Sequence, residues 1–338
     1  MIEFVCKDYT EAAWREVFDS LQGQSLLQTS AYGEAKAQTG SWRIERGVFR
    51  RDGELVGACQ VLLRDVPIFS GGLAWAGRGP LFRDLHDVAE MCIVLAEHYC
   101  RARGYYLRVA PPLGSNDFPD AAAQQAGFSD TGTTGWASAT IDLSLGVETL
   151  RANLGGKWRG HLNKAERSNL RIEIGADPAT VSAFLSAHQQ FLDAHQFDTA
   201  VTPDFLGILQ ERLADGLKME AVLAYDDGGI LVASALIAKY GDTCEYLAGN
   251  STDAGHRSAA VQLLLWRAIE RMKAHGFATF DVSGMDPEVT PRGIYQFKQG
   301  MGGVQYRQMS EIEAGGGSLI GRLVRWRVRR ARAALAGG

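Results

Sequence analysis

The feature that most constrains this 338-residue chain is an internal repeat. Residues 43–50 and 54–64 read as two strands around Asp52-Gly53, a dipeptide that tolerates the positive φ of a tight hairpin turn. Residues 219–225 and 230–240 do the same around Asp227-Gly228-Gly229. A long helical period follows in each half, over 85–103 and 257–275. Gly104 and Gly276 close these helices, supplying the left-handed residue that often ends one. Apolar strands come next, at 105–110 and 277–282. Gly53 maps to Gly228, Gly104 to Gly276 and Arg108 to Asp281, at separations of 175, 172 and 173. A near-constant period of this length means two copies of one domain, not a solenoid. Hairpin, helix and strand in each copy predict mixed sheets covered by helices, an α/β or α+β class.

Bulk properties narrow the function. With 46% hydrophobic residues, the chain is long enough to bury two cores. Its formal net charge of -4 gives no global reason to bind nucleic acid. The average hides an asymmetry: residues 318–338 carry six arginines and no acid, leaving 29 cations against 39 acids elsewhere. The five cysteines are odd in number and lack CxxC spacing, which predicts a reduced compartment and no zinc site. The N-terminal residues have no signal-peptide pattern, and no run approaches 18 apolar residues. A cytoplasmic protein is expected.

Three stretches stand out beyond the repeat. Residues 146–170 read as a basic connecting helix on which Lys157, His161 and Lys164 recur at i, i+4 and i+7 and share one face. Lys157, Arg159, Lys164 and Arg167 are interrupted by one acid, Glu166, and are candidates for binding a diphosphate or an RNA backbone. Near the C-terminus, an apolar strand ending at Asp281 is followed by Gly284 and a polar loop. Then come Tyr295, Phe297-Lys298 and the cluster Gly300, Gly302 and Gly303. Glycines permit close backbone approach, so Lys298 is expected to face a ligand at the mouth of a sheet, with Asp281 at the strand end where open α/β sheets place ligands. Asp142 and Asp286 are further carboxylate candidates. His161, His195 and His256 have no Ser or Cys at a telling spacing, which argues against hydrolase chemistry. Finally, the tail 313–338 mixes Leu, Val and Trp with arginine. It reads as a basic amphipathic helix for an anionic membrane surface, or as a basic segment that contacts its own acidic body.

Several of these motifs, in this order, resemble the FemABX family of peptidyltransferases. Gln28, Tyr32 and Lys36 resemble its Gln-x-x-x-aromatic-x-x-x-Lys opening, and Gly77-Arg78-Gly79-Pro80 its Arg-Gly-Pro turn. Lys157-Trp158-Arg159 with Lys164-Ala165 resembles its central signature, and Gly284 with Phe297-Lys298 and the following glycines its closing one. The resemblance implies two tandem GNAT-like domains, here 1–145 and 171–312. It also implies transfer of an activated amino acid, from aminoacyl-tRNA as co-substrate, to an amine of a peptidoglycan precursor. That precursor is a UDP-muropeptide, a lipid-linked muropeptide or a related envelope glycan intermediate. Lys298 is then catalytic, stabilising charge on the attacked carbonyl, with Phe297 and Asp281 beside it. Lys36, Tyr32, Arg78, Lys157, Arg159, Lys164, Gly284 and Tyr295 bind substrate, so both halves contribute to the site. No metal or bound cofactor is implied, and a monomer at the inner face of the cytoplasmic membrane is expected.

The resemblance has departures. The coiled-coil arm associated with tRNA contact in some members is absent from 171–218. A GNAT-like domain that uses acyl-CoA ordinarily has an Arg/Gln-x-x-Gly-x-Gly/Ala loop opening a helix. This chain has Gly255-His256-Arg257-Ser258-Ala259-Ala260 there, with side chains in place of the loop glycine. Two rival functions remain: an acyl-CoA-dependent N-acyltransferase of exopolysaccharide or envelope synthesis, and a non-catalytic binder of an envelope intermediate.

Overall fold

The computed structural model describes every residue except 68–70, 115–116, 120–122, 125, 196–198, 200, 318 and 337–338, and leaves out the side chains of 319–320 and 331–336. The chain divides into two units, Met1–Trp136 with Arg307–Gly338, and Ala137–Tyr306. Strands of the first unit are β1 (Ile2–Cys6), β2 (Arg43–Arg51), β3 (Glu54–Asp65), β4 (Gly72–Ala76), β5 (Leu81–Phe82), β6 (Tyr106–Val109) and β7 (Ser129–Asp130). The second sheet holds β8 (Ala137–Asp142), β9 (Arg171–Gly175), β10 (Glu220–Tyr225), β11 (Leu231–Tyr240), β12 (Thr243–Ser251), β13 (Thr279–Asp281) and β14 (Val304–Arg307). A last strand, β15 (Ile312–Ala314), returns to the first sheet. Among the described residues the orders are β1-β2-β3-β4-β6-β15-β7, with β5 beside β3, and β14-β8-β13-β12-β11-β10-β9.

Both expected hairpins form. β2 pairs with β3 around Asp52 and Gly53, at φ 52° and 84°, and β10 pairs with β11 across a turn that holds Gly229 at φ 76°. Each sheet also has a parallel pair, β4 with β6 and β12 with β13, at equivalent places in the repeat. The mixed α/β class and the tandem arrangement are therefore as the repeat predicts. Gly104 and Gly276 take their left-handed conformations at φ 74° and 85°.

The long helices are less regular than their periods suggest. The first is Val88–Ala96, continued by a π-helical turn over Glu97–Arg101. The second is two helices, Asp253–Ser258 and Ala260–Ala274, broken where Ala259 adopts φ 58°. A Cβ on Gly255 would lie 2.2 Å from the Val232 carbonyl oxygen. The chain thus presses against β11 before it turns into the second helix.

The division into units differs from the boundaries expected at 145 and 171. β8 pairs antiparallel with β13, from Thr279↔Asp142 to Asp281↔Thr140, inside the second sheet. β15 pairs antiparallel with β6, from Ile312↔Val109 to Ala314↔Leu107, inside the first. Either strand covers an edge that would otherwise expose unpaired backbone groups, and local periodicity cannot say which half of the sequence supplies it. Segment 146–170 is no free connector either. It forms two helices, Val147–Asn153 and Gly156–Ala165. Their Leu150, Leu154, Trp158, Leu162 and Ala165 are buried in the second core with Val222, Ile237, Leu264, Trp266 and Phe280. The first core gathers Phe49, Leu63, Met91, Leu95, Tyr99 and Leu107.

The C-terminal glycines serve this packing. The Gly155 amide donates to the Gly300 carbonyl at 2.9 Å, and a Cβ on Gly300 would sit 3.0 Å from Trp158. Gly302 has φ 81°, and a Cβ there would meet the Asn153 carbonyl oxygen at 2.3 Å. Gly300 and Gly302 therefore let one backbone approach another. Gly302→Ala is expected to destabilise the second unit by at least about 1–3 kcal/mol, since it adds left-handed strain to the clash. Urea unfolding checks this, and an unchanged midpoint would contradict the packing role.

Candidate active site

The parallel pairing of β12 with β13 covers three positions, Thr243↔Thr279, Cys244↔Phe280 and Glu245↔Asp281, and stops there. β12 runs on to Ser251 without β13 beside it. Its register against β11 slips by one residue at Leu247, between Ile237↔Tyr246 and Leu236↔Ala248. The strands part at Glu245 and Asp281. Register partners on neighbouring strands point to the same face, so these carboxylates lie side by side, 3% and 5% exposed. Two buried like charges repel and lose hydration, so they need donors and a counter-charge.

Both are supplied. Asp281 accepts hydrogen bonds from the Ser138 hydroxyl on β8, from the Ser283 amide at 2.6 Å and from the Tyr306 phenol at 2.6 Å. Glu245 accepts from the Tyr240 phenol at 3.0 Å and the Ser283 hydroxyl at 3.1 Å. Ser283 therefore ties the two acids together, and it does so at φ 62°, a conformation disfavoured for a residue with a Cβ. Strain of this kind amounts to about 1–3 kcal/mol and persists where surrounding bonds impose it.

Lys298 is the cation. Its Nζ donates to the Gly284 carbonyl at 3.0 Å and stands 5.5 Å from the centre of the Tyr246 ring. Burial pulls its pKa from 10.5 down to about 8, against the opposing attraction of Asp281 and Glu245. The lysine is carried in the last turn of a helix, Arg292–Gln299. A cation is favoured at a helix C-terminus. The same helix turns Phe297 against Trp158, ring centres 6.2 Å apart, and sends the Tyr295 phenol to Gln305 at 3.3 Å. Phe297 and Tyr295 are packed on the flank of the core and hold the helix. Of the residues singled out from the sequence, Lys298, Asp281 and Gly284 come together.

The basic run does not join them in the contacts observed. Lys157 is exposed on the helix Gly156–Ala165. Arg159 donates to the Ala152 carbonyl at 3.0 Å and Lys164 to the Arg257 carbonyl at 2.7 Å. In the first unit, Lys36 lies one helical turn from Tyr32, its Nζ 5.6 Å from the ring centre. Burial, helped by Arg64, pulls the Lys36 pKa down. The Arg78 guanidinium stacks 3.8 Å from the Trp136 ring centre. Gln28 is a structural clamp: its side-chain amide donates to the Gly77 carbonyl at 2.8 Å and accepts from the Gln60 amide at 2.8 Å.

Sequence reasoning missed Glu245, Ser283, Tyr240 and Tyr306. A signal existed for the first, since Glu245 interrupts the otherwise strand-like Cys244-Glu245-Tyr246-Leu247. At the place where a GNAT-like chain has its pyrophosphate loop, Gly255–Ser258 is helical instead. The Gly255 amide is capped by the Thr252 hydroxyl at 3.2 Å. Among the described residues, one trio could approach a metal ion: Cys6, Glu45 and His98 in the first unit. Arg103 already occupies that place, donating to Glu45 at 2.6 Å and lying 3.3 Å from His98 Nε2.

Residues 154–299 match the acetyltransferase (GNAT) domain family. No sequence match is found among curated proteins. Among solved structures the chain is similar to FemX, with TM-score 0.77 and 17% identity over 91% of this chain and 96% of that one. It is similar to the C-terminal DUF2156 domain of a putative lysylphosphatidylglycerol synthetase from Agrobacterium fabrum, with TM-score 0.57 and 14% identity over 97% and 98%. A tandem GNAT protein from the clavulanic acid biosynthesis pathway gives TM-score 0.53 and 13% identity over 94% and 100%. At these identities the likeness is one of fold, and the fold is a FemABX-like tandem GNAT arrangement.

Proposed function

We propose that this FemABX-like tandem GNAT chain is an aminoacyltransferase of cell-envelope synthesis. In this reading it moves an activated amino acid from aminoacyl-tRNA to an amine of a peptidoglycan precursor. The observation that carries the reading is the Lys298 ammonium, held half-buried by Gly284 beside Glu245 and Asp281 where β12 and β13 separate. In the reaction the acceptor amine, having lost a proton, attacks the ester carbonyl and a C–N bond forms. The carbonyl oxygen becomes an oxyanion, and a fixed ammonium stabilises that charge most where water is excluded. Collapse breaks the ester C–O bond, and the leaving alkoxide takes up the proton that the attacking nitrogen gives up, so that an amide and a free hydroxyl result. Glu245 and Asp281 keep Lys298 charged and placed. Lys36, Tyr32 and Arg78 are proposed to bind the acceptor, Lys36 as a point charge for its phosphates. Lys157, Arg159 and Lys164 are proposed as phosphate contacts, Lys157 with the least competition from its own backbone. The acceptor, soluble or lipid-linked, is met at the inner face of the membrane.

A second reading, acyl transfer from acyl-CoA, is favoured by the GNAT domain match. The helical Gly255–Ser258 turn weighs against it, because a capped helix offers no glycine loop for close approach to a pyrophosphate. The test pairs a UDP-linked muropeptide with a pool of charged tRNAs or with acetyl-CoA. Transfer of label from charged tRNA to the muropeptide is expected. Lys36→Met is expected to weaken muropeptide binding about tenfold, on the order of one charge-assisted contact. Label arriving only from acetyl-CoA would replace this proposal with the second reading.

A further inference from the structure

The helix Leu319–Ala336 has two faces that differ in chemistry. Gly321 and Val324 are buried, while Arg325 and Val328 are half-buried. This i, i+3, i+4, i+7 stripe seats the helix on the first unit. Glu313, 3% exposed, is the anchor: it pairs with Arg325 and with Arg329, the latter at 3.4 Å, and accepts from the Tyr106 phenol. The basic segment therefore does contact its own acidic body, but with one side only.

The other side carries Arg322, Leu323, Trp326, Arg327 and Arg330, all exposed. Leu323 is 41% and Trp326 55% exposed, and the Arg330 guanidinium lies 5.4 Å from the Trp326 ring centre. Residues 322, 326 and 330 are successive turns of one row, and 323 and 327 form the row beside it. The result is an apolar pair ringed by three arginines, with no acid anywhere in residues 318–338.

We propose that this outward face docks the protein on an anionic phospholipid surface. A Trp and a Leu one turn apart can enter the headgroup boundary while flanking arginines meet lipid phosphates. Basic residues near an anionic leaflet are drawn to its surface charge. The Glu313 anchor keeps the helix from folding its arginines elsewhere, so the face is presented in a fixed orientation. RNA phosphates would engage the same arginines but would give no reason for the exposed Leu323. The face would be the contact surface for the membrane encounter proposed above. The docking proposal rests on the helix alone, so its failure would leave the transfer reaction standing, and the reverse also holds.

Flotation of the full chain with phosphatidylcholine vesicles, with and without phosphatidylglycerol, tests it. Binding is expected only when phosphatidylglycerol is present. It should fall at least tenfold both in Leu323→Ser/Trp326→Ser and in Arg322→Glu/Arg327→Glu/Arg330→Glu. Thermal unfolding of each variant shows whether the fold is kept. Equal binding to neutral vesicles, or retained binding by either folded variant, overturns the proposal. Absence of vesicle binding alongside salt-sensitive binding of tRNA would also overturn it and assign the face to nucleic acid.

Discussion

Lys298→Met is expected to lower kcat/KM for transfer by about 10²–10³, the usual effect of removing one preorganised oxyanion donor. The folded state should survive, because methionine keeps most of the buried length and removes a charge whose burial is unfavourable. Lys298→Arg is the informative companion. Burial places the lysine pKa at about 8, so the ammonium is present below that pH and lost above it. Transfer that depends on the ammonium must then decline as pH rises through about 8. The arginine variant, if active, should lack that descending limb, since guanidinium stays charged. Stability moves the other way. Between about 8 and 10.5 the unfolded chain holds a proton on this lysine that the folded chain lacks, so this group makes stability rise with pH across that window. Lys298→Met should lose this increment. A folded Lys298→Met enzyme with near wild-type kcat/KM would remove the lysine from the mechanism.

How much of this could be read from the sequence depended on how local its cause is. The hairpins were legible because Asp52-Gly53 and Gly229 carry turn conformations in their own backbones. Gly104 and Gly276 marked helix ends for the same reason. The strand exchange was not legible, because β8 and β15 are placed by edges offered far away in the chain, and three residues such as Ile312-Glu313-Ala314 show no period. Lys298 stood out because aromatic, lysine and glycine are adjacent. The flanking glycines do permit close approach, but what they approach, Trp158 and the Asn153 carbonyl, is brought near only by the fold. The acids around Lys298 were half visible. Asp281 ends a strand, whereas Glu245 gains its meaning from sitting opposite Asp281 in a parallel register. Trp158 and Leu162, within a run that reads as a basic linker, turn out to be core.

Glu311→Met is expected to destabilise the first unit, by up to about 3–5 kcal/mol, because it takes the Glu311 carboxylate away from the buried Arg108 guanidinium. The repeat explains why this pair matters. Arg108 is the counterpart of Asp281, and Trp75↔Arg108 in β4 and β6 is the counterpart of Glu245↔Asp281 in β12 and β13. Where the second unit has Asp281, the first unit has the cation Arg108. Arg108 and Glu311 pair there with side chains 6% and 8% exposed, and the Trp75 indole donates to Glu311 at 2.8 Å. One copy of the repeat thus holds a buried ion pair at this place, and the other a lysine beside two acids. The double variant Arg108→Met/Glu311→Met should recover most of the lost stability, since apolar replacement of a whole buried pair is often neutral. Urea unfolding of both variants gives the two energies. A loss below about 1 kcal/mol in Glu311→Met would mean the pair behaves as a solvated surface contact.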